Sequence, residues 1–189
     1  MRTKRSSSAG FSLAEVLVAV ALLSVILLAL FGLVTAGVRQ AYSGKKMTQG
    51  AMVAQSAMER MNIQQCQDLL GAASTDTSVT KTWTKTDPGS ADAKTTPAAE
   101  TGTTAPILAR NAVRDLLRTS DLAGSPSAPA TLTVTMTAMP TGANCPSGTT
   151  CTFANCAMVQ IIVDLQWSDY GLRKRTIHLQ SLNLRVVPS

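Results

Sequence analysis

The most strongly patterned part of the chain is a hydrophobic run near its N-terminus. From Val16 to Val34 every position is apolar except Ser24 and Gly32. A helix needs about 20 apolar residues to cross the hydrocarbon of a bilayer. A cleavable signal peptide has a shorter apolar region followed by a small-residue cleavage site, and this run has neither feature. The pattern therefore predicts a transmembrane helix.

The helical pattern continues beyond the hydrophobic run. Apolar residues at spacings of four, three, four and three form one stripe on a helix: Met47, Ala51, Ala54, Met58 and Met61. No proline occurs in residues 1–87, so we expect a single helix from Phe11 to Leu70. Residues 11–38 would be its transmembrane half and residues 39–70 its amphipathic continuation. The stripe would pack on the rest of the domain or contact another subunit, and both uses remain open.

The chain changes character after this helix. Residues 71–106 are dominated by Thr, Ala, Ser, Gly, Pro and Asp, and such a segment buries too little apolar surface to offset its ordering entropy. We expect a low-complexity surface loop there, with Trp83 as a packed tether rather than a binding site. Residues 107–189 form the predicted globular head, which begins with a helix over ILARNAVRDLLRTSDLAG that stops at Gly124.

Two strands follow, each marked by alternation of apolar residues. The segments TLTVTMTAM and VQIIVDLQW show the period-two pattern that is typical of half-buried strands. A third strand begins at Arg175, but its apolar phase slips between Leu179 and Leu182. Because a one-residue slip exchanges the two faces of a strand, we expect a bulge or break near Gln180. The predicted class is α+β, with the long helix packed on a small antiparallel sheet of three or more strands.

Charge and cysteine content limit the location and the ligands of the protein. The 17 Lys and Arg residues exceed the 11 Asp and Glu residues, but three of the cations, Arg2, Lys4 and Arg5, precede the apolar run. The remaining excess is too small to imply nucleic-acid binding. All four cysteines follow the run, which favours an oxidising compartment for that part of the chain and the cytoplasm for the N-terminus.

The start of the hydrophobic run carries a carboxylate, Glu15, which neither a secretory signal nor a plain membrane anchor would keep. The residues around it, AGFSLAEVLVAVALLS, resemble the class III signal of type IV prepilins. In that family a short basic leader ends in Gly, here Gly10, a hydrophobic residue follows, here Phe11, and Glu comes four positions later. The resemblance implies that a prepilin peptidase cleaves between Gly10 and Phe11 and methylates the new amine of Phe11.

Two roles are open for Glu15. In the prepilin family this Glu pairs with the N-terminal amine of a neighbouring subunit, and a carboxylate inside hydrocarbon generally marks function. Ser12 and Glu15 also form a capping-box sequence, in which the Glu reaches back to the start of its own helix. Gly10, the basic leader and the apolar run together favour the assembly role of Glu15. The two roles can also alternate before and after cleavage.

The resemblance extends beyond the signal. GVRQAYSGKKMTQGAMVAQSAMERM is similar to the helix of PilV-type minor pilins, and IIVDLQWSDYGLRKRTIHLQSLNLRV resembles their closing hairpin. This implies a minor pilin of the type IV pilus machinery that initiates or caps the filament. It would lie in the inner membrane with its C-terminal domain in the periplasm, and then at the pilus tip. The implied partners are other minor pilins, the major pilin, a tip adhesin and the prepilin peptidase, and no cofactor is implied.

Two other functions remain open. A pseudopilin of a type II secretion system would carry the same signal. A membrane-tethered module that binds DNA or a surface ligand at a pilus tip is an alternative of another class, with Arg173, Lys174 and Arg175 as its phosphate contacts. Three cations at a hairpin are more often a solvated turn, because nucleic-acid binding usually needs a wider basic patch. Major pilins often have a helix-kinking proline where this chain has Gly32, which favours a minor pilin over a dominant subunit.

We expect neither catalysis nor a metal site. His178, the sole histidine, alternates with apolar residues on a predicted strand, so a solvated strand position fits it better than a catalytic base. Zinc would need a familiar ligand spacing, which the cysteines lack, and oxidation is preferred. The turn-rich PSGTT segment favours a Cys145–Cys151 bridge, and a Cys66–Cys156 bridge would then tie the helix to the sheet. The alternative is that Cys66 is a buried free thiol, since four cysteines allow three connectivities.

Overall fold

The described structure consists of two helices and one antiparallel sheet. The computed structural model describes residues 12–63, 76–87, 94–122, 128–139, 152–153, 158–168 and 173–184. Helix α1 spans Leu13–Ile63 and helix α2 spans Ala105–Thr119. The predicted α+β class, with a long N-terminal helix and an antiparallel sheet, is confirmed. The expected helix limits, Phe11 and Leu70, lie outside the described residues.

The sheet has five strands in the order β2-β1-β3-β4-β5, and every neighbouring pair is antiparallel. The strand bounds are β1 Ser78–Lys85, β2 Thr95–Thr96, β3 Ala130–Met139, β4 Met158–Ser168 and β5 Lys174–Leu184. The chain divides into two compact units, Met1–Tyr42 and Ser43–Ser189. Helix α1 contributes residues to both units, and the sheet belongs to the second.

In the first unit, α1 presents apolar side chains around its whole circumference. Its large hydrophobic residues are exposed, Leu28 to 76% for example. Ser24 Oγ donates to the carbonyl oxygen of Val20 at 2.8 Å and so satisfies its hydroxyl within the helix. Such internal bonding lowers the cost of a hydroxyl in an apolar medium. The helix is long and apolar enough to cross a membrane.

In the second unit, α1 buries one face in the core. The buried residues are Lys46, Gly50, Val53, Ala54, Ala57, Met58 and Met61. Of the predicted stripe, the last three members are buried, but Met47 and Ala51 are exposed. A stripe with an average period of 3.5 residues drifts by about 20° per heptad around a straight helix. Its first members have therefore turned away from the core.

The inner face of the sheet supplies the rest of the core. The predicted alternation on β3 and β4 is confirmed, because every inward residue from Leu132 to Ala138 and from Val159 to Trp167 is buried. Helix α2 adds Ala109, Val113 and Leu117 to the same cluster. The second unit, which is called the head from here on, is therefore a sheet with helical segments packed on its inner side.

Strand β1 corrects the prediction of a loop over residues 71–106. Ser78–Lys85 pairs with β3 at all eight positions. The segment SVTKTWTK alternates, but two of its four inward positions are lysines, which concealed the hydrophobic pattern. Its outward Thr residues favour strand because they are β-branched, and Thr80 Oγ1 lies 3.1 Å from Thr135 Oγ1 on β3. Tertiary pairing therefore orders a segment whose composition predicts a loop.

The expected bulge near Gln180 is wrong. Strand β5 pairs with β4 without interruption, from Lys174 opposite Ser168 to Leu184 opposite Met158. The inward residues of β5 change from apolar to polar along the strand, and the strand does not exchange its two faces. Ser181 Oγ lies 3.4 Å from Asn62 Nδ2, and Asn183 Nδ2 donates to the backbone oxygen of Asn62 at 3.1 Å. Leu182 consequently stays on the outer face, 56% exposed.

Helix α2 ends at Thr119, earlier than the predicted stop at Gly124, which lies outside the described residues. The buried Lys85 of β1 caps this end. Its Nζ donates to the backbone oxygen of Arg118 at 2.7 Å and also to that of Ser120. Burial lowers the pKa of Lys85 below its ordinary value. The hydrogen bonds satisfy two carbonyls that the helix end leaves without partners.

At Gly50, α1 approaches the sheet closely. A Cβ at this position would lie 2.8 Å from Trp167 Cη2 and 3.3 Å from Ile177 Cδ1. Real Cβ atoms essentially never come as close as the first of these distances, and the indole is rigid and 98% buried. Glycine is therefore required for this contact.

We predict that Gly50→Ala destabilises the head by about 1 to 3 kcal/mol, because the added methyl overpacks the contact with Trp167. Gly44→Ala is the matched control, since a Cβ there meets nothing within 4 Å and alanine is the better helix former by about 1 kcal/mol. Thermal unfolding of the full chain in detergent, followed by near-ultraviolet circular dichroism, measures both. Equal effects of the two substitutions would contradict the role assigned to Gly50.

Glu100 links β1 to α2. Its carboxylate accepts hydrogen bonds from Arg110 Nη2 at 2.5 Å and from Lys81 Nζ at 3.4 Å. Asn111 holds the backbone of Glu100 through two bonds of 2.8 Å. The hydrogen bonds from Arg110 lower the pKa of Glu100 below its ordinary value, against burial, which raises it.

A carboxylate with a lowered pKa stabilises the fold above its unfolded-state pKa, and this contribution is lost as pH falls through the folded-state pKa. We therefore predict that Glu100→Gln lowers the free energy of unfolding at neutral pH by about 1 kcal/mol. The difference from the wild type should vanish in acid. The exposed Glu59 of α1 provides the control, as Glu59→Gln should change stability little at any pH. A constant difference across the pH range would contradict this account.

Candidate processing and assembly site

The described part of the site begins where α1 starts. Ser12 is the residue before the helix, and its Oγ accepts a hydrogen bond from the backbone N–H of Glu15 at 3.2 Å. The backbone oxygen of Ser12 accepts from the N–H groups of Glu15 and Val16 at 3.0 and 3.2 Å. Ser12 thus makes its half of the capping box, which satisfies a helix-terminal donor.

The Glu15 carboxylate has no hydrogen bond or ion pair with any residue that the structure describes. The reciprocal half of the capping box, from the Glu15 side chain to the Ser12 N–H, is therefore not formed. The Glu15 side chain instead borders a shallow groove of about 370 Å³ along α1, shared with Val16, Ala19, Val20 and Leu23. A carboxylate in such apolar surroundings needs a partner once water is removed.

The remaining residues of the predicted signal and the predicted disulfides lie outside the described residues. These are Gly10, Phe11, Cys66, Cys145, Cys151 and Cys156. Cleavage between Gly10 and Phe11 therefore remains a prediction, and so does each cysteine pairing. The described residues contain no group of three or more His, Cys, Asp and Glu side chains that could hold a metal ion.

His178 and the three neighbouring cations lie on β5. His178 is exposed and its Nδ1 lies 2.6 Å from Asp164 Oδ1, across the β4–β5 pair. Sequence reasoning did not predict this partner, because the β4–β5 register that places the two residues opposite each other was not known. Arg173, Lys174 and Arg175 are exposed at the start of the strand.

The comparisons with known proteins bear on the N-terminal region. Residues 5–37 match the family model of the prokaryotic N-terminal methylation motif. The chain is type IV prepilin-like at its N-terminus. A search of curated proteins found no match, and neither did a search of solved structures.

The motif indicates a type IV pilin-like protein or a pseudopilin. It suggests a structural protein that is processed by a peptidase, not an enzyme, and it implies a prepilin peptidase and other pilins as partners in general. Together with the apolar part of α1, it is consistent with anchoring in a membrane and with a pilus.

We predict that the mature protein begins at a methylated Phe11. Gly10→Val should leave the precursor uncut, because a β-branched side chain would not fit where Gly10 lies in the peptidase cleft. The matched control is Gly32→Val, in the apolar run, where a Cβ meets nothing within 4 Å. Intact-mass analysis of membrane-purified protein distinguishes the forms. A wild-type protein that retains residues 1–10 in cells with active peptidase would refute the prediction.

Proposed function

We propose that this protein is a minor pilin of the type IV pilus machinery, of the PilV type, and that it initiates or caps the filament. It would be held in the inner membrane by residues 11–38, with the head in the periplasm, and would then pass into the pilus at its tip. Its partners would be other minor pilins, the major pilin and a tip adhesin. The methylation motif over residues 5–37 supports the broad class.

The observation that carries the proposal is the carboxylate of Glu15 on an apolar helix, which has no partner among the residues that the structure describes. An unpaired charge in hydrocarbon is penalised, whereas an opposite charge nearby in a dry bundle attracts it strongly. The proposed partner is the N-terminal amine of Phe11 in a neighbouring subunit. That pair would favour one register between adjacent helices, because only one register brings the two charges together.

The cysteines would stabilise the head in the periplasm. We propose bridges between Cys145 and Cys151 and between Cys66 and Cys156. The second would join the segment after α1 to the segment before β4. Closing a loop of this length stabilises a fold by about 4 kcal/mol in the chain-entropy account.

A pseudopilin of a type II secretion system is the second candidate, because the same motif fits it. The two machines differ in the process that is lost when the protein is missing. Loss of a minor pilin removes surface pili, whereas loss of a pseudopilin stops the secretion of enzymes. The genes that surround this one would also distinguish them, since the components of each machine usually cluster.

We predict that deletion of the gene removes or strongly reduces surface pili and leaves type II secretion intact. Wild type should restore pili, and Glu15→Ala should insert into the membrane but fail to restore them. The control is Ser24→Ala in the same helix, because the Ser24 hydroxyl is already satisfied by Val20. Electron microscopy counts the pili and membrane fractionation follows insertion. Pili restored fully by Glu15→Ala would refute the pairing role, and lost secretion with normal pili would identify a pseudopilin.

A further inference from the structure

Two sets of contacts fix the direction of β5 relative to the part of α1 in the second unit. Near Gly50, a Cβ would lie 3.3 Å from Ile177 Cδ1. Near the end of α1, Asn62 contacts Ser181 and Asn183 through hydrogen bonds of 3.4 and 3.1 Å. Strand β5 therefore runs in the same direction as this part of α1, with Ile177 level with Gly50.

The start of β5 consequently lies at the same end of the second unit as Ser43. Lys174 precedes Ile177 by three residues, which is about 10 Å of strand at ~3.4 Å per residue. Ser43 precedes Gly50 by seven residues, which is about 10 Å of helix at ~1.5 Å per residue. Ser43 is the first residue of this unit. The chain therefore enters the head from its apolar segment at the end where β5 begins.

This end of the head carries a cluster of exposed cations, which we call the basic end: Lys45, Arg173, Lys174 and Arg175. The described acids at the same end already have lysine neighbours. Asp121 Oδ2 lies 3.7 Å from Lys45 Nζ, and Asp87 pairs with Lys94. Asp121 therefore offsets one charge of the basic end. Asp169 precedes β5 in the sequence, lies outside the described residues and can offset at most one more. The four cations keep an excess of about two positive charges.

We propose that the basic end binds the anionic headgroups of the membrane in which the chain is anchored. The inference rests on the proposed anchoring by α1. A basic residue close to an anionic bilayer surface contributes about 1 kcal/mol, which is about a fivefold effect. The attraction falls off within a Debye length of about 10 Å. Because the chain enters the head at this end, the tether keeps the cations near the bilayer and raises their effective concentration there.

Nucleic acid is the other polyanion that exposed cations attract, and the structure favours lipid over it. Four cations give a small footprint for a duplex, whose binding usually needs a wider basic patch. Binding to the membrane surface requires cations near the residue where the apolar segment joins the head, and the basic end lies there. Binding to DNA does not require that position.

The test uses the full chain in lipid nanodiscs of two compositions, phosphatidylcholine alone and phosphatidylcholine with phosphatidylglycerol. A lysine-acylating reagent labels the exposed amines, and mass spectrometry measures the rate at each residue. We expect phosphatidylglycerol to slow the labelling of Lys174 and Lys45 about fivefold, and high salt to abolish the effect. Lys81, paired with Glu100, is the internal reference and should not change.

Two arginine variants make the test specific. Arg173→Gln should reduce the slowing of Lys174, because it removes a neighbouring cation of the basic end. Arg60→Gln removes another exposed arginine, near the far end of α1, and should leave the slowing unchanged. Equal labelling rates of Lys174 in both kinds of disc would overturn the inference. Failure of the chain to enter either disc would refute the membrane anchoring of the proposed function instead.

Further arms identify the source of the negative charge. Inorganic phosphate or a short DNA duplex is added to discs of phosphatidylcholine alone. Slowing of Lys174 by phosphate equal to that by phosphatidylglycerol would indicate a site for a single phosphate group and overturn the lipid surface. Slowing by DNA without slowing by phosphatidylglycerol would assign the cations to nucleic acid and also overturn it. Slowing by phosphatidylglycerol that phosphate does not reproduce supports the proposal.

Discussion

The structure depends on one constraint: a single helix has to serve two environments along its length. A helix that faces lipid needs apolar side chains all round, whereas a helix packed on a protein needs them on one side. In α1 the exposed apolar residues of the first unit meet the first requirement, and the buried face from Gly50 to Met61 meets the second. The missing side chain of Gly50 then lets the backbone approach Trp167, which brings the sheet close to this part of α1.

The parts of the fold that sequence predicted are those in which hydrophobicity alone decides the structure. Strands β3 and β4 have an apolar residue at every inward position, and the first part of the long helix is apolar all round, so the type of these elements followed from the pattern. Strand β1 did not, because Lys81 and Lys85 occupy inward positions where the pattern expects apolar residues. Each lysine is accommodated by a partner distant in sequence, Glu100 or the end of α2. Such partners become visible only once the chain is folded.

The same reasoning explains the regular register of β5. Its apolar phase slips in the sequence, and a slip predicts a bulge when the partner surface is apolar throughout. The partner near the end of α1 is the polar residue Asn62, which bonds Ser181 and Asn183. The role proposed for Glu15 comes from a linear motif and could be proposed from sequence alone. The shared end of Lys45 and Arg173, which are distant in sequence, follows only from the direction of β5.

Lys85 and Glu15 are ionisable residues in buried or apolar surroundings. They differ in whether the described part of the chain supplies a hydrogen-bond partner. Lys85 is buried, and carbonyl groups of its own chain accept its hydrogen bonds, so its charge serves the stability of the head. Glu15 lies on an apolar helix, and the described residues offer its carboxylate no partner. Burying a charge without a partner costs several kcal/mol. Removal of water from around an ionised Glu15 would therefore be favourable only with a positive charge nearby, and under the proposed function a neighbouring subunit would supply that charge.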